Sequence, residues 1–419
     1  MTFQEKRAKI ENVLENAYLF LFGLLLAYLF SRLTSFTIKW QMITETAEGG
    51  DSFIGRIFLV HPFYALLAVA VLRTLIQESY NWKKCLETAA VVLVGYGLWR
   101  FGSHKDFFLL WILILGAREI PFEKIVKVFL SVCGSILLAA MICAGAGVIE
   151  DYTYTRSDGA LRHALGTGSP TNCGAFLFFQ ILCWWYLRKE KITYYEAAVV
   201  LGISVFVRQF INARTAAGCI AGIAAVMCIQ RALYRRAERQ NWEFSMNSIL
   251  ASILILSHIF MAGFIIIVSA LFDGNIPWML KLNALFSNRL SLGRKAMDLF
   301  EFTWFGQYIR NFSHAEGLTA GGYFYIDSSY LQIALMYGVL WLAVVLFVFL
   351  VIGCRAKRQN DWTMVWILAF MAIHSVIEPR LIQLAYNPFI LALLADTGRR
   401  EGLRIEEIIR IKWVKKREF

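Results

Sequence analysis

Residues 162–187 read RHALGTGSPTNCGAFLFFQILCWWYL, a polar stretch that leads directly into an apolar run. The apolar run starts at Cys173 and contains no charged side chain. A membrane span needs roughly 20 mainly apolar residues, and fewer when flanking side chains reach back to the interface. The stretch therefore predicts a span that begins near residue 173, with Arg162 and His163 just outside its first turn.

The composition of the whole chain supports the same reading. Hydrophobic residues make up 58% of its 419 positions, charged residues 17%, and prolines number only six. Soluble domains are about 45–50% apolar and about 25% charged, so we predict an all-α polytopic membrane protein with a single integral membrane domain, 1–419. Hydropathy predicts about twelve transmembrane spans, near residues 17–35, 57–76, 87–100, 107–117, 125–149, 173–187, 195–211, 215–233, 248–272, 329–353, 362–377 and 382–396.

The basic residues predict the orientation. A net charge of +12 is compatible with nucleic acid or with a membrane surface, and the loops decide between them. The segments that are inside when the N-terminus is inside carry Lys6, Arg7 and Lys9; Arg73, Lys83 and Lys84; Arg118, Lys124 and Lys127; Arg188, Lys189 and Lys191; Arg231, Arg235, Arg236 and Arg239; Arg355, Lys357 and Arg358; and the basic tail. The positive-inside rule therefore predicts a multi-pass protein of the cell (inner, cytoplasmic) membrane, with both termini cytoplasmic and no nucleic-acid partner.

The two ends of the chain are assigned on the same grounds. The mixed-charge start, EKRAKIENVLEN, lacks a small-residue cleavage site, so we expect the first span to be retained. The tail, 397–419, is predicted to be a cytoplasmic amphipathic helix resting on anionic membrane lipid, with partner binding as the alternative.

Two of the loops that this topology places outside stand out. One is 150–172, between the fifth and sixth spans, and the other, the largest, is 273–328, between the ninth and tenth spans. In the large loop, IPWMLKLNALF and RKAMDLFEFTWFG predict short helices in the plane of the interface. The eight cysteines fall in spans, at span ends or in inside loops, so no external disulfide framework is expected.

Ionisable residues recur on the outer face and just inside it. Each can be a simple helix anchor, but Arg208 interrupts VLGISVFVRQFI, where a central arginine costs about 2.5–3.5 kcal/mol. Several guanidinium groups in one outer cavity suit a phosphate or pyrophosphate, which arginine binds bidentately. Asn172 can cap the following span, and no HExxH, CxxC pair or GxSxG indicates a metal or serine-hydrolase site. The set comprises Arg162, His163, Arg208, Arg214, Arg289, Arg294, Asp327, His374, Glu378 and Arg380.

Four stretches, in this order, resemble the Wzy-type O-antigen and capsular-polysaccharide polymerases, relatives of the O-antigen ligases. The first is the family's R-x-x-L-G-x-x-H-P-N motif, with Ser169 in place of the histidine and Thr171 inserted before the asparagine. The others are ARTAAG, with Ala213 in place of serine; NRLSLGRKAMDLF followed by TWFGQ; and DSSYLQIALMYGVL. The matching positions are Arg162, Leu165, Gly166, Pro170, Asn172, Arg214, Thr215, Arg289, Asp327, Tyr330, Leu331 and Gly338.

The resemblance implies a GT-C-like fold and a glycosyltransferase that needs no metal or other cofactor. Its expected reaction is the transfer of a growing glycan from undecaprenyl pyrophosphate to another lipid-linked repeat unit at the outer leaflet. Its expected partners are the undecaprenyl-pyrophosphate-linked oligosaccharide, membrane lipid and a chain-length regulator protein.

Specific residues are expected to take the two main roles of such a reaction. The candidates for the catalytic base are Glu378, Asp327 and His163. The candidate substrate-binding residues are Arg162, Arg208, Arg214, Arg289, Arg294, Asn172 and Arg380. Structural alternatives stay open for some of them, since Asp327 can cap a helix and Glu378 can pair with Arg380.

Two other functions remain open. A ligase that transfers finished glycan shares the fold and much of the loop pattern. A lipid-linked oligosaccharide flippase or exporter is the third reading, but charge at mid-depth and internal repeats are typical of transporters. Here the charges crowd the outer face and no repeat is apparent.

Overall fold

The computed structural model describes residues 3–36, 61–76, 82–102, 107–155, 159–240, 244–309 and 324–398. Most of these residues are helical. The helices are α1 (Phe3–Ser31), α2 (His61–Ile76), α3 (Trp82–Phe101), α4 (Phe107–Gly116), α5 (Phe122–Gly145), α6 (Pro170–Arg188), α7 (Tyr194–Phe206), α8 (Arg214–Gln240), α9 (Ser248–Ile255), α10 (Ser257–Ala270), α11 (Pro277–Leu285), α12 (Arg289–Leu299), α13 (Ser329–Gln332), α14 (Val339–Arg358) and α15 (Trp362–Ser375). Strands β1 (Thr153–Thr155) and β2 (Leu161–His163) form an antiparallel hairpin.

Among the described residues, five helical segments are long and apolar enough to cross a membrane: Glu5–Ser31, Phe122–Gly145, Tyr194–Ile211, Arg214–Gln240 and Val339–Arg358. α9 and α10 form a sixth candidate span, bent by 49° at the break between them. Shorter apolar helices occur at Tyr64–Thr74, Thr88–Phe101 and Trp362–Ser375. The described part of the chain is therefore that of an all-α membrane protein, with five or six candidate spans where the sequence predicts about twelve.

Helix α6, which follows the quoted polar stretch, lies inside the bundle. It begins sharply because the Ser169 side chain accepts a hydrogen bond from the Asn172 amide and Pro170 occupies the first turn. The N-cap is therefore Ser169 and not Asn172, which the sequence predicted. Aromatic side chains such as Phe178 and Trp185 are fully buried on it. A helix that is apolar on all sides is expected to be covered by protein or lipid, and α6 packs against α5, α8 and α15.

The predicted span at 382–396 is not a helix in this structure. The chain leaves Arg380 beside the start of α6 and reaches Asp396 beside the start of α5, whose Phe122 amide donates to the Asp396 carbonyl. Only a short 3-10 helix, Phe389–Leu393, forms on the way. Pro388 supplies no amide for a helix, and the side chain of the preceding Asn387 bonds backbone on both sides of it. Because the segment is almost entirely buried, its irregular backbone is shielded from lipid, which is where such backbone is tolerated.

The predicted span at 329–353 is also interrupted. α13 passes into a π-helical turn, Ile333–Tyr337, and α14 starts only after Gly338. In the predicted large loop, the structure forms α11 and α12, whereas residues 310–323 lie outside the described residues. The predicted amphipathic tail also lies outside them, apart from residues 397 and 398.

The two ends of the bundle differ in chemistry. One end, called here the site end, is where α6 and α8 begin and α1, α5 and α15 finish; the hairpin and α12 lie there. The opposite end carries ordinary ion pairs between helices and the segments beside them. These are Lys124–Glu15 at 2.6 Å, Arg188–Glu196 at 2.6 Å and Lys189–Asp361 at 3.0 Å.

Candidate functional site

A tight turn after α15 holds Glu378. The Glu378 amide still donates to the His374 carbonyl at 3.0 Å, and the Arg380 amide donates to the Glu378 carbonyl at 3.0 Å. The buried Ser329 hydroxyl, from the first turn of α13, donates to the Glu378 carbonyl at 2.6 Å. The same hydroxyl accepts the Leu381 amide at 3.1 Å. Ser329 therefore fastens both sides of the turn to α13.

The Glu378 side chain is buried, with a relative exposure of 7%. It lies beyond the last turn of α15. Burial raises the pKa of its carboxyl from 4.5 to about 7, and the nearby Asp327 raises it further, whereas Arg289, Arg380 and Arg162 lower it. These four residues come from four separate parts of the chain, so the fold brings together charges that the sequence predicted for one cavity.

Arg380 is held by neutral groups. One guanidinium nitrogen donates to the Asn172 side-chain oxygen near the start of α6, and another donates to the Gln383 side-chain oxygen at 2.8 Å. The guanidinium also lies over the Tyr386 ring, 4.7 Å from its centroid. None of these three contacts neutralises the positive charge. Arg380 is thus oriented while its charge acts on Glu378.

Arg289 is the first residue of α12 and pairs with Asp327. Its Nε lies 3.2 Å from the Asp327 carboxylate, and both side chains are mostly buried. A second nitrogen donates to the Ser287 carbonyl at 3.0 Å. Asn288 adopts a left-handed conformation, φ 67°, which turns the chain sharply into α12. Asp327 stands just before α13, whose N-cap residue is Ser328.

Arg162 comes from β2. In the hairpin it stands opposite Tyr154, and its neighbour His163 stands opposite Thr153. His163 makes a 2.6 Å contact with the Asp151 carboxylate. No described contact connects His163 with Glu378, so the three proposed base candidates do not all meet: Glu378 and Asp327 are close, and His163 is engaged within the hairpin.

Three further arginines at the site end are more exposed than Arg162, Arg289 and Arg380. Arg208 sits on a π-helical turn, where it is exposed and donates to Asn212 at 3.2 Å. It therefore does not occupy the middle of a buried span, as the sequence suggested, because the turn lies where α7 finishes. Arg214 is exposed at the first residue of α8. Arg294 is also exposed and pairs with Asp298 at 3.0 Å.

Two of the sequence motifs cross each other at close range. The Val339 amide donates to the Thr303 carbonyl at 2.9 Å, which brings the TWFGQ stretch onto the start of α14. Gly306 and Gly338 both have positive φ, 85° and 106°. A Cβ at Gly338 would lie 2.4 Å from the Trp304 carbonyl oxygen. Two of the quoted motifs are therefore in direct contact, and each needs its glycine.

Several residues of the site carry no advance signal in the sequence. Ser329, Gln383 and Tyr386 are common residue types in apolar or loop surroundings, and only the fold reveals their contacts with the turn or with Arg380. Asp151 is similarly inconspicuous, although it contacts His163 and the Leu165 amide.

The cluster combines three guanidinium groups with two carboxylates, and this arrangement can bind an oxyanion and accept a proton. Within the ranges that the structure describes, no three His, Cys, Asp or Glu side chains are grouped so as to hold a metal ion. No protein-family model, curated protein or solved structure matches the chain.

Proposed function

We propose that this protein polymerises undecaprenyl-pyrophosphate-linked oligosaccharide repeat units at the outer face of the cell membrane. The observation that carries the proposal is the convergence of Arg162, Arg289 and Arg380 around the buried Glu378 at one end of a helical membrane bundle. The proposed topology has about twelve spans, cytoplasmic termini and a GT-C-like arrangement, which places this end outside.

The chemistry of glycan transfer requires these groups. The bond between the anomeric carbon of the donor and the pyrophosphate oxygen breaks, and a bond forms from that carbon to a hydroxyl oxygen of the acceptor sugar. The hydroxyl proton passes to a base, and the pyrophosphate leaves with its additional negative charge on the lipid carrier. Positive charge fixed at the leaving group stabilises that transition state more than the ground state.

Each residue of the cluster has a role in this scheme. Arg162, Arg289 and Arg380 bind the pyrophosphate, because guanidinium groups match its oxygens in geometry and stay charged. Glu378 accepts the acceptor proton, since a base with a pKa near the working pH is the most effective. Asp327 orients Arg289 through their 3.2 Å contact.

The exposed arginines act at longer range. Arg208, Arg214 and Arg294 lie at the same end of the bundle. Charges of one sign around a cavity raise the local concentration of an anionic substrate and its rate of association. We assign them to the capture of the lipid-linked donor rather than to its chemistry.

The test is chain growth with purified protein in detergent, supplied with lipid-linked repeat units that need no transport. The wild type is expected to form polymer, and Arg289→Ala is expected to leave single lipid-linked repeats. Lys295→Ala is the matched control, because Lys295 is an exposed cation on the same helix. A wild type that forms no polymer but moves donor between the leaflets of vesicles would be a transporter, and a fully active Arg289→Ala would refute the arginine assignment.

A further inference from the structure

The Asp151 carboxylate organises the hairpin that carries Arg162. One of its oxygens lies 2.6 Å from Nδ1 of His163, the last residue of β2. The other accepts the Leu165 amide at 2.7 Å, just beyond that strand. Asp151 itself precedes β1. A single carboxylate therefore ties together the start and the finish of the hairpin.

The alternation of side chains along β2 determines which way Arg162 points. Successive side chains of a strand point to opposite faces, so His163 and Arg162 lie on opposite faces of β2. Asp151 holds the His163 face. Arg162 is then directed to the other face, and its charge acts on Glu378.

The backbone after β2 needs such support. Leu165 and Gly166 both have positive φ, 48° and 77°. For a residue with a side chain this conformation costs roughly 1–2 kcal/mol, and the Asp151 bond to the Leu165 amide stabilises it. The Gly166 carbonyl accepts the Ser35 amide at 2.8 Å, which fixes the loop against the end of α1.

We propose that Asp151 is a positioning residue for donor binding. It holds β2, through His163 and the Leu165 amide, so that the Arg162 guanidinium faces the pyrophosphate of the lipid-linked donor. This inference rests on the proposed polymerase function. It also makes His163 the partner of Asp151 instead of the catalytic base.

The test is a double-mutant cycle with Asp151→Ala and Arg162→Ala, measuring kcat and KM for the lipid-linked donor. Loss of one charge-assisted contact to the donor is expected to raise KM about 10- to 100-fold in either single variant. If Asp151 acts only through Arg162, the double variant is no worse than Arg162→Ala alone. Glu150→Ala is the control, because Glu150 is the exposed neighbouring acid, and it is expected to leave KM unchanged.

Two results would overturn the inference: a KM that stays at the wild-type value in Asp151→Ala, or a double variant whose loss is the product of the single losses. If Arg162→Ala itself binds the donor normally while polymer forms, the arginine assignment fails and not merely the role of Asp151. Asp151→Asn covers a folding failure of the alanine variant. Its amide oxygen still accepts the Leu165 amide but has no charge for His163, so a KM between those of the wild type and Arg162→Ala supports the inference and a KM equal to wild type refutes it.

Discussion

Replacing Glu378 with glutamine distinguishes the effect of its buried charge on folding stability from its proposed role as the catalytic base. In the folded protein, burial raises the pKa of Glu378 from 4.5 to about 7. Between these values the folded state keeps a proton that the unfolded chain has released, so stability falls as the pH rises through this window. The full loss is about 3 kcal/mol, at about 1.4 kcal/mol for each tenfold change in proton affinity. Glu378→Gln is therefore expected to melt at a higher temperature than the wild type at pH 8, with the difference shrinking towards pH 5.

Activity is expected to show the opposite dependence on pH. If Glu378 is the base, only the ionised carboxylate is active, so kcat/KM of the wild type falls about tenfold for each pH unit below 7 and is flat above it. The glutamine variant loses about 10²- to 10⁴-fold and no longer shows this dependence. Initial rates of chain growth and thermal melting, both from pH 5.5 to 8.5, measure the two effects, with the exposed Glu301→Gln as control. A glutamine variant with the wild-type rate, or a wild type whose rate does not change across pH 7, would refute the assignment of the base.

Three further predictions concern the support of the cluster. Arg380→Lys keeps the charge but cannot keep the planar contacts of the guanidinium group. We therefore expect about a 10- to 100-fold loss of kcat/KM for the donor. The control is Arg236→Lys, at an exposed position, which should leave kcat/KM unchanged. Gly338→Ala introduces a side chain at φ 106° that clashes with backbone atoms, so the melting temperature should fall sharply. The control is Gly263→Ala, in a helix with open space around that position, which should leave the melting temperature unchanged. Ser329→Ala removes the hydroxyl to which the buried Leu381 amide donates, at a cost of about 1–3 kcal/mol, whereas the Glu378 carbonyl keeps the Arg380 amide. We expect a lower melting temperature and a shifted pH profile of activity.

Hydropathy predicted the membrane-protein class because long apolar runs must be shielded from water, and such runs are visible directly in the sequence. It did not predict the conformation of 382–396, since a buried irregular segment is as apolar as a buried helix. The local signal was Asn387 followed by Pro388, a side chain that bonds nearby backbone and a residue without an amide. Apolar composition therefore indicates burial, and these two residues indicate the departure from a helix.

The ionisable residues of the site could be predicted from the sequence for a different reason. Glu378 and Arg380 stand beside an apolar run, where an ionisable residue is expensive and calls for an explanation. Their relation to Arg289 and Arg162 follows only from the folded chain, as does the difference between these arginines and Arg294. Contacts such as those of Asp151 with His163 depend on hairpin register, which turn geometry fixes and a residue pattern does not.

The charge balance of the cluster connects its stability with its proposed function. Arg162, Arg289 and Arg380 supply three positive charges, Asp327 supplies one negative charge, and Glu378 supplies a second only when it is ionised. The cluster is thus positive whether or not Glu378 holds its proton, and a buried excess of like charge opposes folding. A pyrophosphate removes that excess, so the bound donor stabilises the same arrangement that orients it. It also offsets the arginines that favour the Glu378 carboxylate, which raises the pKa of Glu378 in the complex. The pH dependence of kcat should therefore lie above that of kcat/KM, because the former reports the complex and the latter the free protein.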